Sequence, residues 1–368
     1  MLRQLRQRLL NSRTPERFFA LVLGFFVLYA LTAQRGIGWG DSAEFQDWVL
    51  NWTDWICGPH FSNAHPLYVW LCRRVASTPF QVTLVSSFFG ALAVGGFYLC
   101  SRRFSLALVF GLSHMLWWNS CLAEVQTMSL AFTAFETALF LRFLRTNGVG
   151  TFAALALLGG LHLEVHNFAL LSAPVFAAAF FVRFRGRRLL WAIPFAALGA
   201  LGASGWLYAA ATRGLSDVLF GAYGEKVAGC CPTNLTLTAF NFALAGLSLF
   251  APVVIGWWTR KDATADSASR ETGWMLALLT VNALFWVRYF VPDQATFILP
   301  TLFFAFQLVS RVSLRRDRVL ALMAMQLVLP LFFYQVLIQL PVPDWKTRHE
   351  GRKDAAYFAL PWKIGEAK

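Results

Sequence analysis

Charge is scarce in this sequence. Asp, Glu, Lys and Arg make up 14% of 368 residues, with only 19 acidic against 32 basic side chains; a soluble protein carries about 25% charged residues. A chain this poor in charge and 57% hydrophobic is neither disordered nor an ordinary water-soluble enzyme. The apolar, charge-poor composition also excludes a secreted disulfide scaffold, and the six cysteines include no CxxC pair and no Cys/His metal spacing. No Walker, zinc-finger or recognition-module spacing accompanies the net charge of +13, so nucleic acid is not an expected partner. Internal repeats and low-complexity tracts are also missing. A polytopic membrane protein remains, in line with a mean hydropathy of +0.53.

The basic segment MLRQLRQRLLNSRTPER precedes the apolar run FFALVLGFFVLYALTA. The run is long and no small-residue cleavage site follows it, so it reads as a first membrane helix with a cytoplasmic N-terminus. Ten more spans are expected near 81–100, 104–120, 127–145, 150–163, 167–183, 189–211, 235–258, 273–289, 294–311 and 319–339. That gives an all-α polytopic protein of about eleven transmembrane helices. Alternating sides from the cytoplasmic start places 20 basic residues inside and six outside before residue 340. This satisfies the positive-inside rule and turns the arginines toward anionic lipid headgroups. Residues 1–339 form one membrane domain, and 340–368 a short extracytoplasmic tail. A bacterial inner membrane fits, as does the endoplasmic reticulum of a eukaryote. Cys57, Cys230 and Cys231 fall in outer loops, where a bridge from Cys57 and free thiols are both open readings.

Ionisable residues are costly near a bilayer and therefore informative. Asp41, Glu44, Asp47, Asp54, His60 and His65 lie in the first outer loop, Glu124 between spans three and four, and His162, Glu164 and His166 between spans five and six. Arg288 and Asp293 lie between spans nine and ten. Four outer turns thus carry chemistry at one face. The first outer loop, about 45 residues, is longer than a turn needs. Its five tryptophans, Trp39, Trp48, Trp52, Trp55 and Trp70, predict one or two amphipathic helices lying on the membrane.

Asp41 and Glu44 are spaced i, i+3. The pair reads as a capping box, or as carboxylates placed to take a proton from a hydroxyl acceptor; the two are compatible. His162 and His166 at i, i+4 have a spacing that holds metal, but lack the HExxH order and need a third ligand. Otherwise they are interfacial histidines bonded to neighbouring turns. Arg288 either snorkels to the headgroups or clamps a phosphate with its guanidinium fork. Glu136, mid-span, is either a protonated packing residue or the lining of an internal cavity.

Taken together, these residues resemble a membrane family long filed as a domain of unknown function, whose animal member is a transmembrane protein O-mannosyltransferase. Gly40, Asp41, Ser42 and Glu44 match the family's Gly-Asp-Ser-x-Glu after helix one, and His65, Pro66, Leu67 and Tyr68 its His-Pro-Leu-Tyr segment. Trp117, Ala123 and Glu124 resemble its Trp…Ala-Glu-Val segment, His166 its outer histidine, and Pro292, Asp293 and Pro300 its late Pro-Asp…Pro turn. The likeness runs from about residue 18 to 310. One departure is Gln126, where the family often has Tyr.

The resemblance implies a GT-C-like fold and an inverting glycosyltransferase. A hexose, mannose as first choice, would move from a polyprenyl-phosphate donor to a hydroxyl, most readily Ser or Thr of an exported protein or a glycan. Asp41 would act as base with Glu44 beside it, and Arg288 would bind the donor phosphate. His65, Tyr68, Glu124, His162, His166 and Asp293 would line the site. No cofactor is demanded, although Asp41 and Glu44 leave room for a divalent metal. The alternatives are a lipid-linked sugar flippase, with polar residues strung across the membrane, and a non-catalytic scaffold.

Overall fold

A computed structural model describes residues 14–38, 40–51, 65–220, 235–259, 270–291, 293–311, 315–339 and 355–366. Every regular element among them is helical. In chain order these are α1 (Thr14–Thr32), α2 (Asp41–Leu50), α3 (Pro66–Val75), α4 (Pro79–Ser101), α5 (Phe104–Gly111), α6 (His114–Ser120), α7 (Gln126–Thr146), α8 (Val149–Leu163) and α9 (Ala169–Arg183). A 3-10 helix, Gly186–Trp191, leads into α10 (Ala192–Gly202), α11 (Ser204–Arg213) and α12 (Leu215–Phe220). Then come α13 (Leu235–Thr259), α14 (Arg270–Arg288), the 3-10 helix Gln294–Ile298, α15 (Leu299–Val309), α16 (Arg316–Gln339), α17 (Ala355–Ala359) and the 3-10 helix Pro361–Glu366.

The expected all-α membrane architecture is the one observed, and each expected span coincides with helix. Their lengths differ from a uniform set of eleven crossings. Among the described residues five helices are long and apolar enough to cross a bilayer: α1, α4, α7, α13 and α16. The stretch Gly186–Gly202 with Ser204–Arg213 makes a sixth if counted as one span bent by 78°. α8 and α9 have 15 residues each, about 22 Å of rise, short of the ~30 Å hydrocarbon core. The expected span 104–120 is broken into α5 and α6, with Ser113 extended between them at φ −60, ψ 133.

α4 organises the bundle. Thr78 caps it by accepting from Gln81 N, Pro79 occupies its first turn, and Arg102 closes it in the left-handed conformation at φ 56. Gly95 and Gly96 face opposite neighbours. A Cβ at Gly95 would come 2.7 Å from Phe18 and Val22 of α1, and one at Gly96 2.7 Å from Ala134 of α7. Small residues let three backbones approach where lipid offers no hydrophobic drive.

α1 divides into two stripes. Leu21, Phe25 and Tyr29 are buried, while Phe19, Leu23, Val27 and Leu31 are exposed. Apolar exposure repeating along a whole helix fits hydrocarbon rather than water.

The two ends of the bundle are chemically distinct. At the far end of α7, Arg145 holds Glu271 at 2.8 Å, and Arg311 reaches the same carboxylate at 3.6 Å. These arginines hold the Glu271 carboxyl below its ordinary range, with the Arg145 hydrogen bond the largest cause. The near end of α7 begins at Glu124 and Val125, beside the first loop's helices.

Within the short tail expected at 340–368, the described residues are 355–366. Residues 355–366 fold against α1 and α16, and Tyr357, Phe358, Ala359, Leu360 and Ile364 are buried in the main core. Trp118 Nε1 donates to Tyr357 O (2.8 Å), and the His114 ring meets Ala359 O at 3.2 Å. The reason is the apolar run AAYFALPW, which contributes buried rings once it reaches the helix bundle.

Candidate active site

Among the described residues of the first outer loop are two short helices, α2 and α3, which pack on each other. Phe45, Trp48 and Val49 of α2 join Tyr68, Val69 and Cys72 of α3 in a second, smaller core with Ala123, Val125 and Val165. Each such buried ring or branched side chain stabilises by roughly 1.5–3 kcal/mol. This core clamps the Asp41, His65 and Glu124 segments to the 162–166 turn.

Gly40, with φ 52, occupies the cap position of α2, and no side chain caps the helix. The capping box expected of Asp41 and Glu44 is therefore not formed. Asp41 is the first helical residue instead, because the chain enters α2 through a positive φ that glycine adopts without strain and a capping side chain does not. Its carboxylate sits at the positive end of the helix dipole and is half-buried, whereas Glu44 is exposed.

Ser42, buried next to Asp41, donates from Oγ to Glu124 Oε1 at 3.0 Å. Ser86 binds the same residue's backbone: its Oγ donates to Glu124 O (2.9 Å) and accepts from Glu124 N (3.0 Å). The Tyr68 hydroxyl lies 2.8 Å from Ser86 Oγ. Glu124 is 5% exposed, so this chain fixes its orientation from three sides. Gln46 pins α2 from below, accepting from Gly38 N at 2.7 Å and donating to Pro79 O at 3.1 Å.

His65 is left-handed at φ 45. Its Nδ1 lies 2.6 Å from Val165 O, and Leu67 N donates to Glu164 O at 3.0 Å. A carbonyl only accepts, so Nδ1 carries the hydrogen and Nε2 keeps a lone pair. Burial lowers the His65 pKa to about 4. His166 stacks on it, centroids 5.1 Å apart and planes at 12°. Phe168 N donates to His166 Nδ1 at 3.1 Å, so this ring carries its hydrogen on Nε2. Burial, helped by His65, lowers the His166 pKa well below its ordinary value. Two neutral imidazoles of opposite tautomer thus present an acceptor and a donor side by side.

Glu164 points elsewhere. Its Oε1 accepts from Trp206 N at 2.9 Å, at the start of α11. Burial raises its pKa, partly offset by the Trp206 and Gly205 backbone. Trp206 Nε1 donates to Asn167 Oδ1 at 2.9 Å, and Asn167 donates to Val218 O at 3.0 Å. His65, His166, Asn167 and Trp206 line a narrow crevice floored by Leu163.

His162 does not join His166. Its Nδ1 lies 3.0 Å from Glu136 Oε1 and its Nε2 2.8 Å from Ser129 Oγ, all three residues buried. The i, i+4 metal pair is therefore not assembled, because α8 ends at Leu163 and the following turn swings His166 out to His65. Among the described residues no group of three His, Cys, Asp or Glu is placed to hold a metal. Glu136 is packed against His162 and lines a cavity of about 430 Å³ between α8, α9 and α10. The other walls of that cavity are Ala, Gly, Leu and Phe, and Leu163 belongs to both it and the crevice.

Arg288 and Asp293 lie on either side of Tyr289 and Val291, in the segment that leads to Phe297. Phe297 lies 6.0 Å from His166, and Tyr289 4.9 Å from Phe297. Arg288 ends α14 one residue before Tyr289 and is exposed. Asp293 caps the turn into Gln294–Ile298, where Thr296 Oγ1 donates to its carbonyl at 2.9 Å. The turn is locked by Trp286 and Gln294, which exchange side-chain-to-backbone bonds of 2.9 and 2.8 Å. Asp54, His60, Cys57, Cys230 and Cys231 lie outside the described residues.

Four of the expected site residues are thus linked, His65 to His166 by stacking and Tyr68 to Glu124 through Ser86, and Glu124 is bonded to Ser42, the residue after Asp41. Gln46, Asn167 and Trp206 were not expected from the sequence, and Ser42 entered only through the Gly-Asp-Ser-x-Glu match. A signal for two of them was present: Ser42, Phe45, Gln46 and Val49 share one face of α2 at helical spacing.

No protein-family model matches this sequence, and no match emerges among curated proteins. Among solved structures the chain is similar to the crystal structure of ArnT from Cupriavidus metallidurans bound to undecaprenyl phosphate. The TM-score is 0.63 at 14% identity, covering 95% of this chain and 75% of that one. The two chains share a fold. The likeness extends over nearly the whole chain, and the all-α fold expected from the sequence is the one the two chains share.

Proposed function

We propose that this chain is a membrane glycosyltransferase of GT-C type that takes its sugar from a polyprenyl-phosphate donor. The observation that carries the reading is the shared fold with a protein crystallised with undecaprenyl phosphate. The apolar cavity, which shares Leu163 as a wall with the narrow His65–His166 crevice, supports it. A donor's isoprenoid chain would lie in that cavity, with its phosphate and sugar outside it at the end beside the His65–His166 pair.

In the proposed reaction the acceptor hydroxyl oxygen attacks C1 of the hexose from the face opposite the phosphate. The bond between C1 and the phosphate oxygen breaks, its electron pair leaves on the phosphate, and the configuration inverts. Asp41 takes the hydroxyl proton. An aspartate has an ordinary pKa near 3.9, so the transfer comes late, as the hydroxyl acidifies on bonding to C1. Arg288 balances the charge gathering on the departing phosphate. His65 Nε2 and His166 Nε2–H orient sugar hydroxyls, with Tyr68 and Glu124 holding α2 and α3 in register. Mannose and a Ser or Thr acceptor of an exported protein are the first substrates to try, following the resemblance to the O-mannosyltransferase family.

The test is purified protein with a labelled polyprenyl-phosphate hexose and a Ser/Thr peptide. Label on the peptide, with matching release of lipid phosphate and loss of both in Asp41→Asn, is the expected result. Turnover by Asp41→Asn equal to that of the unaltered protein ends the assignment of the base. Movement of the intact donor across vesicles without transfer would make the chain a flippase.

A further inference from the structure

At the arginine-rich end, opposite the candidate active site, a notch of about 680 Å³ opens between the ends of α7 and α9 and the start of α14. Asn147, Val182, Arg183, Arg185, Gly273 and Trp274 line it, with Ala277 one turn deeper. Its two halves differ. Val182 and its neighbour Phe181 are more than half exposed, an apolar surface suited to acyl chains. Arg183, the last residue of α9, and Arg185, just past the helix end, supply the charged half. Glu271, two residues before Gly273, does not offset these cations. It is already held by Arg145 (2.8 and 3.1 Å) and by Arg311 (3.6 Å), two positive groups on one negative.

We propose that this notch is a discrete binding site for one anionic phospholipid of the leaflet at that end. Its phosphodiester lies on Arg183 and Arg185, and an acyl chain lies along Val182, Trp274 and Ala277. Free phosphate would satisfy the guanidinium pair but leave the apolar wall open, whereas a zwitterionic lipid would cover the wall while presenting no net charge to the arginines. Diffuse attraction to anionic lipid acts on every exposed arginine of the surface; a site acts on those of the notch. The proposal is independent of the glycosyltransferase reading, since it uses no residue of the opposite end.

The experiment uses the full chain, purified and stripped of lipid, with retained lipid counted by native mass spectrometry. The probes are dioleoyl phosphatidylglycerol, dioleoyl phosphatidylcholine and inorganic phosphate. One phosphatidylglycerol per chain is expected, with phosphatidylcholine retained about tenfold less and phosphate unable to displace the lipid. R183Q/R185Q lowers retention by about tenfold. R187Q/R188Q, which removes the same charge two residues beyond the notch, leaves retention unchanged. G273L fills the notch without touching charge and abolishes retention. A Cβ at Gly273 meets nothing within 4 Å, so the fold tolerates a side chain there. Equal loss in the two arginine pairs, retention by G273L, or equal binding of phosphatidylcholine would each overturn the proposal. Displacement by millimolar phosphate would make it a phosphate site and not a lipid site.

Discussion

His65 and His166 lie ring on ring, 5.1 Å between centroids and 12° between planes, with opposite tautomers fixed by Val165 O and Phe168 N. The arrangement holds only while both rings are neutral, because two imidazolium ions at this distance repel. It joins a left-handed residue at the start of α3 to the turn after α8.

The stack makes stability depend on pH in a defined window. His65 titrates at about 4 in the folded chain and near 6.5 unfolded; His166 is lowered in the same direction. Above pH 6.5 neither state binds the proton. As pH falls below 6.5 the unfolded chain binds it first, so stability falls, and for His65 the loss is complete near pH 4. The slope is at most about 1.4 kcal/mol per pH unit for each histidine. Melting curves at pH 7, 5.5 and 4.5 check this. His65→Asn, which can still donate to Val165 O, should flatten the dependence. An unchanged slope in the variant would place the titrating group elsewhere.

Glu136, His162 and Ser129 form a buried hydrogen-bonded chain between α7 and α8. Removing one member strands the others away from water. Glu136→Leu and His162→Leu should each cost roughly 3 kcal/mol, and the double variant clearly less than the sum. Denaturation in mixed detergent micelles measures the cycle. Strict additivity would mean that the 3.0 Å contact carries no coupling.

Much of this was legible in the sequence. Apolar runs and arginine placement mark each helical segment, because hydrocarbon and headgroup charge constrain them directly. His65, Glu124 and His166 were candidates because the expected topology puts them in outer turns, and Tyr68 because of the His-Pro-Leu-Tyr resemblance. Other parts were not legible. Asp41–Glu44 has capping-box spacing, yet Gly40 takes the cap position, since a backbone angle decides this and spacing does not. His162 and His166 share one helical face on paper, but α8 stops between them.

The C-terminal segment 355–366 packs on the bundle through its own apolar residues, and it yields a further prediction. Deleting residues 355–366 leaves Trp118 Nε1 and the His114 ring without Tyr357 O and Ala359 O, and uncovers the core faces that Tyr357, Phe358, Leu360 and Ile364 occupy. Each lost hydrogen bond to a buried group costs about 1–3 kcal/mol, and the lost burial adds to it. The truncated chain should melt well below the full chain in the same detergent. Equal melting temperatures would make the segment an ornament on the bundle.

Asp41 and Glu44 separate under substitution if the proposed chemistry is right. Asp41 is half-buried at the start of α2, beside the Ser42–Glu124 bond, whereas Glu44 is exposed one turn on. Losing a general base lowers the rate roughly 10²–10⁴-fold, and the donor is held by other groups. Asp41→Asn should therefore lower kcat by that order with the donor KM nearly unchanged. Glu44→Gln should lose less than about tenfold. Arg288→Gln should raise the donor KM and lower kcat together, since a guanidinium meets phosphate in both the ground and transition states. Steady-state rates of lipid-phosphate release distinguish the three. If Glu44→Gln were the inactive variant and Asp41→Asn the active one, the base would be the exposed carboxylate, and the half-buried position of Asp41 would serve only to seat α2.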